Sequence, residues 1–245
     1  NIMNSNLIHF LYNLKNTSAE FKNDPDLDFW VTCLSMFTET NSQNFQDVWV
    51  LYENAFAGNG FFVEFGATNG IDGSNTLLLE KEFYWNGILA EPNPCFHDAL
   101  KANRKAIIST NCVYKSSGEN LQFLCTNEPD LSTLVEYSGV PDEHVQKRRN
   151  GAKTHVNTIT LYDLLKEKNA PAFVNYLSID TEGSEYDILK TFFDHNNEYL
   201  IKCITVEHNF TPSRERIYDL LTSKGYARKF ENFSRWDDFY TLAKY

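Results

Sequence analysis

The sequence predicts an α/β fold: a seven-stranded, mostly parallel sheet closed by a C-terminal antiparallel hairpin and preceded by helices. Three observations carry this. From residue 61 onward, short runs rich in Val, Ile, Leu and Phe alternate with longer amphipathic stretches, the pattern of parallel strands joined by crossover helices. The first run, Phe61-Phe62-Val63-Glu64-Phe65, leads straight into Gly66-Ala67-Thr68-Asn69-Gly70, a small-residue turn ahead of a helix. The chain is also large enough, since 245 residues with 42% hydrophobic and 15% aromatic content can bury one full core.

In chain order, residues 1–58 read as an N-terminal helical cap. A first helix puts Leu7, Phe10, Leu11 and Leu14 on one face, Asn23-Asp24-Pro25-Asp26 breaks it, and further helices are predicted over 27–37 and 45–57. The main domain, 59–245, has strands predicted at 61–65, 87–90, 106–109, 174–179 and 203–206, with helices at 76–83, 95–102, 161–168, 185–193 and 213–224. Segments 226–230 and 239–243 read as the antiparallel pair. Residues 114–157 interrupt the alternation with one edge strand, 121–125, and a polar stretch, and an insertion of that length is expected to be a lid or binding loop.

A formal charge of −11 argues against a nucleic-acid binder and fits a protein handling a small or cationic ligand. The five cysteines form no zinc spacing and read as reduced thiols of a cytoplasmic protein. No apolar run is long enough to cross a bilayer. No membrane or nucleic-acid partner is therefore expected, and oligomeric state is not legible.

Ligands of open parallel sheets bind beyond the carboxyl ends of the strands, so the residues there matter most. The turn at Gly66 lacks both the GxGxxG and the P-loop spacing, so phosphate binding is not its first reading. Acids follow several strands: Glu91 in Glu91-Pro92-Asn93-Pro94, placed for a ribose diol; Asp180 in Asp180-Thr181-Glu182-Gly183; and Glu207-His208. One such acid is usually a cap or a surface group, but several at corresponding strand ends point to a site.

Together, Val63–Gly70, Ser74-Asn75-Thr76, Glu91-Pro92-Asn93-Pro94 and Leu177–Gly183 resemble the FkbM family of S-adenosylmethionine-dependent methyltransferases. The resemblance runs from about residue 61 to the end and implies a Rossmann-like class I methyltransferase fold. It implies that Glu64 with the turn at Gly66 and Ala67 holds the methionine part of the cofactor, with Thr68 and Asn69 also in the cofactor set. Ser74, Asn75, Thr76 and Asp180 complete the expected cofactor set. Glu91 takes the ribose hydroxyls, and Asn111 and Cys112 flank the adenine. Thr68 stands where many methyltransferases carry the middle glycine of GxGxG.

The expected acceptor is a small molecule bearing a hydroxyl, a sugar or a nucleotide-linked or phosphorylated precursor of a surface polysaccharide or secondary metabolite. N-methylation of an amine or phosphoramidate is the alternative, and a non-catalytic cofactor-binding module is a third reading. A hydroxyl needs a base or a metal. By resemblance to metal-dependent O-methyltransferases, Asp180, Glu207 and His208 are candidate ligands for magnesium or manganese, with His208 and Asp180 the catalytic pair. His208 is otherwise the general base, or a histidine bonded to the backbone. The run Lys147-Arg148-Arg149-Asn150-Gly151-Ala152-Lys153 is either a solvated face or a clamp for an anionic acceptor, which would use Arg148, Arg149, Lys153 and His155. His155 is a second base candidate. Glu182 and Glu185 read as helix-flanking carboxylates. Trp236 and the Asp237-Asp238 pair either border the acceptor cleft or are turn residues.

Overall fold

The computed structural model describes residues 9–11, 13, 16, 17, 24–231 and 234–243. Leu7 and Leu14 of the first expected helix lie outside them. Helix α1 (Pro25–Ser35) starts inside the tetrapeptide read as a break, because Asp24 accepts the Asp26 and Leu27 N–H groups and Pro25 needs no partner at the first turn. Helix α2 (Gln46–Glu53) follows a loop cinched by Asp47, whose buried carboxylate takes Thr40, Ser42 and the Asn41 N–H.

Strand β1 (Phe61–Phe65), α3 (Leu77–Phe83), β2 (Asn86–Ala90), α4 (His97–Asn103) and β3 (Ile107–Ser109) form the first half of the main sheet. Its second half is β8 (Phe173–Ile179), α6 (Glu185–His195), β9 (Leu200–Glu207), α7 (Ser213–Ser223), β10 (Tyr226–Lys229) and β11 (Asp237–Leu242). The strand order is β10-β11-β9-β8-β1-β2-β3, with β11 antiparallel to both neighbours. Order reverses between β1 and β8, so their carboxyl ends, Gly66 and Asp180, face each other across the ligand-binding crevice of such sheets.

Helices α5 (Leu161–Glu167), α6 and α7 cover one face of the sheet through Leu164, Leu189, Phe192 and Leu221. The other face packs against Phe29, Trp49, Leu79 and Leu100 of α1 to α4. Trp49, fully buried, sits 4.9 Å from Phe239 of β11. The N-terminal helices α1 and α2 thus pack on that face of the sheet.

The insertion is not mainly polar loop. Strands β4 (Cys112–Val113), β5 (Asn120–Thr126), β6 (Thr133–Leu134) and β7 (Gly151–Ile159) make a second sheet, in the order β4-β7-β5-β6, with its own apolar cluster of Cys112, Tyr114, Phe123, Leu134 and Val156. Strand β7 escaped the sequence reading because it turns Lys153, His155 and Asn157 to solvent and puts only Thr and Val between them. Among the described residues, no helix is long and apolar enough to cross a membrane.

Candidate active site

The β1 turn is shaped by close approach. Gly66 has φ +70°, and a Cβ there would lie 2.2 Å from the Asp180 carbonyl oxygen, so only glycine lets the two strand ends meet. Thr68 adopts φ +46°, a left-handed angle that strains a β-branched residue, held by its N–H donating to Glu91 Oε2 at 2.9 Å. The Asn93 N–H donates to Oε1 at 2.7 Å. Both oxygens of Glu91 are thereby fixed, each keeping a lone pair, in a side chain only 4% exposed. Burial pushes its pKa up to about 7 despite these two backbone bonds.

A cavity of about 390 Å³ runs past this carboxylate along the carboxyl ends of the strands. Of the residues expected to hold the cofactor, Gly66, Ala67, Thr68, Asn69, Ser74, Asn75, Glu91, Cys112 and Asp180 line it, whereas Glu64, Thr76 and Asn111 do not. Glu64 is instead a buried strut. It accepts the Ser74 and Thr76 hydroxyls and the Asn75 N–H, and pairs with Arg104 at 3.7 Å. Arg104 in turn donates to Ser74 and Thr76. The pair therefore pins the loop that presents Asn75, whose Nδ2 is held by Ser178 Oγ at 2.9 Å and whose buried Oδ1 has no partner.

Asp180 lines the cavity with Glu182, and an oxygen of each lies within 4.8 Å of one on Glu207. Burial pushes all three carboxyls upward, and repulsion from Asp180 adds to the rise on Glu182 and Glu207, whereas a hydrogen bond with Glu207 opposes the rise on Asp180. Arg148, donating to Glu182 Oε2 at 2.6 Å, opposes the rise on Glu182 without reversing it. Arg148 is itself fully buried and also bonded to Asp142 at 2.5 Å and to the Val140 carbonyl. It is a structural cation, and Arg149, Lys153 and His155 are exposed and absent from the cavity wall. The expected anion clamp does not form from these four residues. The Lys147–Arg149 turn sends only Arg148 inward, where Glu182 and Asp142 neutralise it.

His208 also departs from expectation. Its Nδ1 accepts the Phe210 N–H at 3.0 Å, which leaves the ring proton on Nε2, 3.6 Å from Asp238 Oδ1. Burial alone would raise Asp238, but the nearby His208 ring and the Arg214 guanidinium, which donates to both of its oxygens, override it and hold it well below the usual carboxylate range. His208 does not line the cavity, so it has no lone pair for an acceptor or a metal there, and Glu182 takes its place beside Asp180 and Glu207.

Among the wall residues outside the site assignment, Gln43, Gln46, Trp236 and Asp237 lie together at one end. Asp237, 6% exposed, accepts Asn44 Nδ2 at 2.8 Å and Gln46 Nε2 at 2.9 Å, both on Oδ2. The sequence reads Trp236 and Asp237 as bordering the acceptor cleft or, more commonly, as turn residues, and gives no signal for Gln43 or Gln46.

The methyltransferase FkbM domain family matches residues 64–240. Methyltransferase sdnD of Sordaria araneosa is 29% identical over 196 residues, 69% of this chain and 74% of that protein. Among solved structures, the methyltransferase FkbM from Methylobacillus flagellatus KT is 11% identical, with a TM-score of 0.43 over 89% of this chain and 62% of that one. The O-methyltransferase from Bacillus cereus, solved in complex with SAH, is 11% identical, with a TM-score of 0.39 over 95% of this chain and 94% of that one. With a family match across most of its length, from the end of β1 to the last strand, the chain belongs to the FkbM family of S-adenosylmethionine-dependent methyltransferases.

Proposed function

We propose that this chain methylates a hydroxyl oxygen of an uncharged, sugar-like acceptor in the cytoplasm, during synthesis of a surface polysaccharide or secondary metabolite. The observation behind this reading is one continuous cavity joining a preorganised carboxylate, Glu91, to a group of carboxylates around Asp180. Five unpaired cysteines support a reducing compartment.

The residues present suit S-adenosylmethionine. Glu91 offers two fixed oxygens with free lone pairs for a ribose diol, and Gly66, where a Cβ would clash with the Asp180 carbonyl, presents bare backbone to the cavity beside it. When bound, the cofactor supplies a methyl group on a cationic sulfonium, and transfer is an in-line displacement that demands alignment above all. Asp180, at the end of β8 and pushed up to about 7 chiefly by burial, is our candidate to hold the proton of the attacking hydroxyl. Among the described residues the cavity wall contains no Lys, Arg or His, so an acceptor phosphate would find no cation in it. A divalent ion on Asp180, Glu182 and Glu207 is the metal version of the same reading, and would polarise the hydroxyl.

The acidic wall also favours one competitor, N-methylation of an amine, since carboxylates would hold its ammonium form. The test is a screen of sugars, nucleotide sugars and amines with S-adenosylmethionine, following methyl transfer by mass spectrometry with and without chelator. We expect a hydroxyl product. Transfer confined to amines would overturn O-methylation, chelator-resistant turnover would remove the metal version, and calorimetry showing no binding of cofactor or its demethylated product would sink catalysis altogether.

A further inference from the structure

We infer that Asp237, with Gln43, Gln46 and Trp236, forms the acceptor subsite, in which Asp237 Oδ1 receives the hydrogen bond of a polyol hydroxyl. The inference deepens the O-methylation reading and rests on it.

Position is the first argument. The strands between β2, which ends just before Glu91, and β11, which begins at Asp237, are β1, β8 and β9. Neighbouring strands lie about 4.8 Å apart, so four steps separate the two acids by roughly 19 Å along the crevice. With Glu91 turned to the cofactor, the Asp237 end is what remains for the second substrate, and Asp180 and Glu182 lie between.

Hydrogen bonding is the second. Asp237 is more than nine-tenths buried, and the two amides that orient it both use Oδ2. Oδ1 takes no hydrogen bond from the described residues and is not among the fully enclosed unpartnered atoms, so it opens onto the cavity. Gln46, 2% exposed, is fixed in turn by the Asn44 N–H on its Oε1 at 2.7 Å. Gln43 reaches across to Gly73, where its Nε2 would lie 3.5 Å from a Cβ, and so spans from the N-terminal segment to the β1 loop. Trp236 adds an aromatic surface, backed by the Arg235 guanidinium 4.1 Å from the ring centroid.

Chemistry is the third. Amides, a carboxylate oxygen and an indole, with no cation on the wall itself, make a set that binds an uncharged polyol: hydroxyls to the polar groups, a C–H face to the ring. The family match begins at residue 64, so Gln43 and Gln46 lie outside it, and this wall is where one member of the family can differ from another in acceptor.

The test uses the intact chain saturated with S-adenosylhomocysteine and titrated with methyl glucoside as an uncharged polyol probe, read by nitrogen-15 NMR. We expect shifts at the Trp236 indole N–H and the Gln43 and Gln46 amides. Asp237→Asn should abolish them, because its carbonyl will take the Oδ2 position and place a donor where Oδ1 accepted. Gln43→Ala, at the cavity edge, should weaken them at least threefold and guards against misfolding of the first variant. Calorimetric affinity for S-adenosylhomocysteine should stay within twofold of wild type in both. Cofactor binding without these shifts, or shifts confined to Lys153 and His155 on β7, would overturn the subsite alone, whereas loss of S-adenosylhomocysteine binding by the wild type would overturn the function beneath it.

Discussion

The two ends of the cavity hold their carboxylates by different means. Glu91 is fixed by backbone N–H groups from residues 2 and 23 positions away, so the turn that makes the loop also makes the site. Asp237 is fixed by side-chain amides 193 and 191 positions away, which meet it only because α2 packs on the sheet beside β11. Backbone donors are indifferent to residue type and tie the cofactor end to the fold itself. Side-chain donors can be exchanged one at a time, which suits an end that must recognise a particular acceptor.

The harshest way to break this contrast is at Gly66, where the two halves of the sheet meet. Gly66→Ala places a Cβ 2.2 Å from the Asp180 carbonyl at φ +70°. Overpacking costs about 1–3 kcal/mol and the left-handed angle about 1–2 kcal/mol more. Because the clash moves backbone on both sides, cofactor affinity should collapse and thermal stability fall together, measured by calorimetry and a melting curve. A variant that binds and melts like wild type would mean the strand ends are free to separate.

A gentler change separates the ends. Glu91→Gln turns one accepting oxygen into a donor facing the Thr68 or Asn93 N–H. Losing a hydrogen bond to a charged group costs about 1.5–3 kcal/mol, so S-adenosylhomocysteine should bind roughly 10- to 100-fold more weakly. Methyl glucoside shifts at Trp236, once cofactor is restored to saturation, should be unchanged. Asp237→Asn should show the opposite pattern, and equal losses of both ligands in both variants would erase the distinction drawn above.

The same contrast explains what the sequence made legible. Gly66, Thr68 and Glu91 belong to short contiguous motifs whose chemistry is local, and all three line the cavity. Glu64 was legible as important but not as a strut, because its partner Arg104 lies 40 positions on and nothing nearby marks it. Arg148 and its neighbours are alike as letters, yet one turn buries Arg148 between Glu182 and Asp142 and leaves Arg149 in solvent. For His208, the strand position was right and the direction was not, since it faces Asp238 on a strand that sequence order places last. Gln43 and Gln46 carried no signal at all. An amide acquires meaning only when a fold sets an acid in front of it.

The smallest effect compares the two carboxyls as acids. Burial raises both Glu91 and Asp237 to about 7, from ordinary values of 4.5 and 3.8. Between pH 4 and 7 the folded chain therefore holds protons that the unfolded chain has released. Stability without cofactor should be fullest below about pH 4 as far as these two groups are concerned, and should fall as pH rises to 7. A tenfold displacement of a proton equilibrium is worth about 1.4 kcal/mol, and water in the open cavity screens part of it, so replacing either acid with its amide should flatten the decline by about 1 kcal/mol. Denaturant melts at pH 5 and pH 7.5 measure this. Saturating S-adenosylmethionine, a cation lying against Glu91, should flatten the decline in the Asp237→Asn protein more than in Glu91→Gln. An equal response in the two would place the cofactor's charge midway along the cavity rather than at the Glu91 end.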